Sequence, residues 1–124
     1  MAAYNDSGIK TFTAGGTIVA HARVKLSGST VVTAGVDEGC LGFAERAVAS
    51  GEAVAVRLIN HPGTFLAIAG DAIAVGGSLY SAADGKVVDT DPNTGGNADT
   101  IRFTALTAGA GDGSIVEVFP LTLN

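Results

Sequence analysis

The sequence predicts an all-β protein: a compact β-barrel or two-sheet sandwich of short antiparallel strands, preceded by an extended N-terminal arm. Three observations carry this expectation. Apolar residues come in short runs, several alternating with polar ones at the period of a half-buried strand. Glycine is frequent, at 18 residues, and proline rare, at 3, a balance that suits tight turns between strands better than long helices. The 47% of hydrophobic residues is mostly Ala, Val, Ile and Leu, enough to form a core and to exclude an intrinsically disordered chain. The 124 residues fit one domain, placed at residues 15–124 behind an arm at residues 1–14.

Along the chain, Met1 to Lys10 is polar and without periodicity, as an arm or edge segment would be. From Ala22 the alternation is clear: Ala22, Val24 and Leu26 are expected on one face, Arg23 and Lys25 on the other. Ser27-Gly28-Ser29 reads as a turn before the β-branched strand Thr30–Thr33. Leu41–Ala44 and Glu52–Leu58 follow as strands. Pro62-Gly63 presets a tight reversal into a strand at Thr64-Phe65, and Leu66–Val75 suits a strand or one helical turn. Gly76–Tyr80 reads as a strand, Asp84-Gly85 as a hairpin turn before Lys86–Val88, and Asp89–Asp99 as a polar loop. Strands at Thr100–Leu106 and Ser114–Leu121 close the chain, joined by Gly109–Gly113.

A weak internal repeat runs through these elements. Gly51-x-x-Val54-x-Val56 recurs as Gly113-x-x-Val116-x-Val118, an offset of 62 residues. The hairpins upstream, before Val31-Val32 and Val87-Val88, are offset by 56, as if a loop had grown in the second half. Two copies of a four-strand unit would close a barrel or sandwich and cover exposed strand edges.

The search for chemistry finds no catalytic constellation. His21, read on a strand, and His61, at the Pro-Gly turn, have no short-range partners for metal or general-base work. Asp89, Asp91 and Asn93 match three positions of a calcium loop, but Thr94 stands where Gly is needed and Thr100 where a bidentate Glu belongs. Cys40 follows Asp37-Glu38-Gly39, and carboxylates disfavour the reactive thiolate; a single cysteine also forms no internal disulfide. Gly109–Gly113 lacks a lysine and leads into a strand, so it is a turn and not a phosphate loop. Asp37, Glu38 and Glu45 are an unspecific carboxylate group. No cofactor or metal is expected, and the protein is expected not to be an enzyme.

A net charge of −5 opposes a nucleic-acid partner, because phosphate binding needs a basic surface. No apolar run approaches the roughly 20 residues that span a bilayer, and Met1–Asp6 lacks a signal-peptide pattern, so synthesis in the cytoplasm and no membrane partner are expected.

Several motifs, taken in order, resemble the capsid cement family, the small head decoration proteins of tailed phages and prophages. They are Gly16-Thr17-Ile18-Val19, Gly42-Phe43-Ala44 to Val56-Arg57-Leu58, Pro62-Gly63-Thr64-Phe65, Gly76-Gly77-Ser78-Leu79-Tyr80, Asp84-Gly85-Lys86-Val87 and Gly113-x-Ile115-Val116-Glu117-Val118. Each is turn chemistry plus β-branched residues; their order and spacing make the match, and Asp91–Asp99 departs from the family pattern. The resemblance implies a virion protein on the outer capsid surface that clamps neighbouring major capsid protein subunits against the pressure of packaged DNA. It also implies self-association, as a trimer in preference to a dimer. Tyr4, Ile9 and Phe12 are candidate anchors of an arm that crosses to a neighbour, with His61, Pro62 and Phe65 as further contact candidates. The alternative is a carbohydrate- or cell-surface-binding module, for which Tyr80 and Phe65 are the available aromatic pair.

Overall fold

A computed structural model describes residues 8–36, 38, 40–60, 63–90 and 103–120. Among the described residues, ten short strands form two halves of five. In the first, β1 (Ile9–Ala14), β2 (Arg23–Ser27), β3 (Thr30–Thr33), β4 (Gly42–Ala44) and β5 (Ala53–Leu58) close a barrel in the order β1-β3-β2-β4-β5. In the second, β6 (Phe65–Ile68), β7 (Ser78–Ser81), β8 (Val87–Val88), β9 (Phe103–Ala105) and β10 (Ile115–Pro120) form a curled sheet in the order β6-β10-β9-β7-β8. The pairings are antiparallel except β1 with β3, and a single parallel bridge from Ala69 to Val87 links the two ends of the curled sheet.

The all-β class and the two similar halves are therefore present, with five strands per unit where the sequence suggested four. The additional strand is β1; its counterpart in the second half, β6, begins where the sequence predicts a strand, at Thr64-Phe65. Ile9–Ala14 lay within the segment read as an arm, yet pairs with β5 from Ile9 to Thr13 and with β3 at Thr13 and Ala14. Residues 1–7 of that arm lie outside the described residues.

Main-chain bonds repeat between the halves. Gly51 N–H donates to the Ala14 carbonyl at 2.8 Å, and Gly113 N–H to that of Ala69 at 2.8 Å. Ile18 and Val48 exchange a reciprocal pair, as do Ile73 and Gly109. Gly15 N–H donates to Val31 at 2.7 Å and Gly70 N–H to Val87 at 2.8 Å. The hairpins differ in detail. Ser27 and Thr30 flank the two-residue turn Gly28-Ser29. In the second copy Asp84 (φ 60°) and Gly85 (φ 72°) take the two left-handed positions of a tight turn, which Asp-Gly accommodates with little strain.

Each half has its own core, and each lends a side chain to the other. Val24, Val31, Val54 and Val56 fill the barrel, while Leu79, Val87, Phe103, Val116 and Val118 fill the curled sheet. Phe43, on β4 between the inward-facing neighbours Gly42 and Ala44, joins the second core, its ring centroid 5.1 Å from Phe65 and 5.5 Å from Phe103. Ile68 of β6 packs in the first core.

Arg23 departs from the expectation that it faces solvent. Ala22 and Val24 are buried as read, but Leu26 is 53% exposed and Arg23 is 0% exposed. The second half covers the outer face of β2 at this point. The guanidinium donates to carbonyls on both sides: from Nη2 to Gly35 at 3.1 Å and Ala82 at 2.5 Å, from Nη1 to Glu38 at 3.1 Å, and from Nε to Lys86 at 3.0 Å. Gly85 N–H adds a bond to the Ala34 carbonyl at 2.9 Å. Glu38 shapes the loop that supplies the first-half carbonyls. Its side chain accepts from Gly35 N–H at 2.6 Å and forms an ion pair with Lys25, and these bonds hold its carboxyl below the usual range.

Two expectations follow. Arg23→Ala strips the donor from several buried carbonyls and should cost about 3–5 kcal/mol in urea unfolding. Arg23→Lys should recover little of this, because one ammonium cannot reproduce the planar fork. A loss no greater than that of Lys25→Ala, which breaks only an exposed pair, would contradict a latching role. Because the Glu38 pKa is lowered by folding, its contribution is present above the unfolded value of about 4.5 and disappears as pH falls through the folded value. Glu38→Gln should flatten that part of the stability–pH profile below about pH 4.5 and leave the neutral-to-basic side unchanged in shape.

Candidate functional site

The seam between the halves opens on one side into a cleft of about 190 Å³. Its first wall is the outer surface of β4 and β5, where Arg57 and Glu45 are joined by an ion pair at 3.0 Å. The opposing wall is β6 and β10, where Leu66 and Glu117 are cross-strand partners. Thr64 donates its hydroxyl to Glu117 Oε2 at 2.5 Å, fixing that carboxylate. Phe43 and Phe65 form the apolar floor, and His21 stands at the rim.

Strand alternation accounts for this lining. Val54 and Val56 point into the barrel, which turns Arg57 outward; Val116 and Val118 point into the second core, which turns Glu117 outward. His21 does not lie on a strand, as the sequence suggested. It occupies a turn before β2 with φ 68°, a left-handed conformation that costs a non-glycine residue about 1 kcal/mol or more. The corresponding turn of the second half uses Gly76, with φ 83°. The equivalence is fixed by hydrogen bonding: His21 N–H donates to Ala44 at 2.9 Å and Gly76 N–H to Ala105 at 2.7 Å.

Beside the cleft, the outer face of β6 and β10 carries exposed apolar side chains: Leu66, Ile115 and Phe119, with Leu106 just after β9. Phe119 is 50% exposed, the most accessible aromatic ring among the described buried and exposed hydrophobics. Single exposed apolar residues are ordinary, but several on one sheet face mark a surface suited to association.

The contact candidates read from sequence scatter. Tyr4, His61 and Pro62 lie outside the described residues. Ile9 and Phe12 are half-buried on β1, with Phe12 packed against the first core. Phe65 is a core residue, 2% exposed, so it contributes to the cleft floor and not to an open contact surface. Its burial also breaks up the Tyr80–Phe65 pair that a carbohydrate platform would have used. Of the loop with partial calcium-ligand spacing, residues 91–100 lie outside the described residues. Among the described residues no group of three or more His, Cys, Asp or Glu is placed to hold a metal. No described helix is long and apolar enough to cross a membrane.

The model of the phage cement protein family matches residues 5–119. The chain belongs to that family. The fold of this cement protein is shared with the N base of the head fiber gp8.5 of bacteriophage phi29, at a TM-score of 0.71 and 22% identity, covering 94% of this chain and 97% of that one. No protein with a curated description matches it. The family assigns the protein to a structural, capsid-associated role in the virion. The sequence reading missed Glu45, Arg57 and Glu117 as a set. Each was visible as a polar residue on the outward side of a strand, but nothing local says that these two outward sides face each other.

Proposed function

We propose that this cement protein decorates the outer surface of the expanded phage head and clamps neighbouring major capsid protein subunits against the outward pressure of packaged DNA. The observation that carries the reading is the family match over residues 5–119. The acidic chain, with a net charge of −5, suits the outer face of the shell and not its DNA-filled interior. Clamping is a binding role with no catalytic step, and no cofactor enters it. The protein is made in the host bacterial cytoplasm and joins the particle there.

The mechanism is multivalent stapling. A barrel and a curled sheet locked into one body transmit load between attachment points, and an oligomer touching several capsid subunits gains from effective concentration even when each interface is modest. A trimer suits a lattice with three-fold positions; a dimer is the alternative. The exposed face around Leu66, Ile115 and Phe119 supplies apolar contact area. The N-terminal segment ahead of β1, with Tyr4, supplies an attachment by strand addition.

Purified protein mixed with expanded and unexpanded heads of the source phage, followed by gradient sedimentation, tests the reading. The protein should co-sediment with expanded heads in a saturable ratio to the capsid protein and leave unexpanded shells bare. Deleting residues 1–7, which spares β1, should weaken binding without changing the unfolding midpoint. Absence from both kinds of particle would overturn the decoration role, and unchanged binding by the truncated chain would remove the arm from the mechanism.

A further inference from the structure

We draw no further inference here: the strongest candidate, the exposed apolar face that Leu66, Ile115 and Phe119 form on the outer side of β6 and β10, carries nothing beyond the contact area already given to it, because nothing in the structure shows what covers it.

Discussion

The structure depends on the burial of one guanidinium. Two five-stranded units, each with a small core, would on their own be marginal domains, since small cores bury too little apolar surface to offset chain entropy comfortably. Arg23 changes that arrangement. Fully buried on the outer side of β2, it gathers carbonyls from Gly35 and Glu38 in one half and from Ala82 and Lys86 in the other. Such a network specifies one relative placement of the halves, because any sliding leaves buried carbonyls without donors. The exchange of Phe43 and Ile68 between the cores fills the rest of the seam with apolar contact.

The same placement creates the cleft. Once β4 and β5 are fixed against β6 and β10, outward-facing residues that would otherwise be solvated surface are brought into register as Arg57, Glu45, Glu117 and Thr64. The latch and the cleft are thus two consequences of docking two similar halves. The halves differ at paired positions. Gly76 keeps the residue that the tight turn favours, whereas its counterpart His21 does not. In this capsid-associated structural protein, internal rigidity and surface chemistry come from one seam.

Much of the fold was legible in the sequence, for identifiable reasons. The alternation of Val54, Val56 and of Val116, Val118 marks core-facing positions, and all four are fully buried. Asp84-Gly85 announced a hairpin because few other dipeptides tolerate two left-handed residues in succession. The failures have a common cause. β1 reads as arm because its inward residues, Phe12 and Ala14, are too few to establish a period, and its strand character comes from pairing with β5, 40 to 48 positions away. Arg23 was placed in solvent because alternation distinguishes the inside of a barrel from its outside, and cannot tell that the outside is covered by a second unit. Phe65 was offered as a contact residue and is in the core for the same reason: the turn before it was readable, but not the ring of Phe43 that meets it. The cleft residues escaped notice because they lie on strands that are distant in sequence.

The Arg23 network joins the two halves into one rigid body. Native-state hydrogen exchange in low concentrations of urea, resolved residue by residue, tests it most directly. The account predicts that the amides of Val24 and Val56 in the barrel and of Leu79 and Val118 in the curled sheet exchange through a common opening, with the same free energy and the same urea dependence. If one set opens at markedly lower free energy while the other stays protected, the halves are independent domains joined by a seam that does not couple them, and the account is wrong.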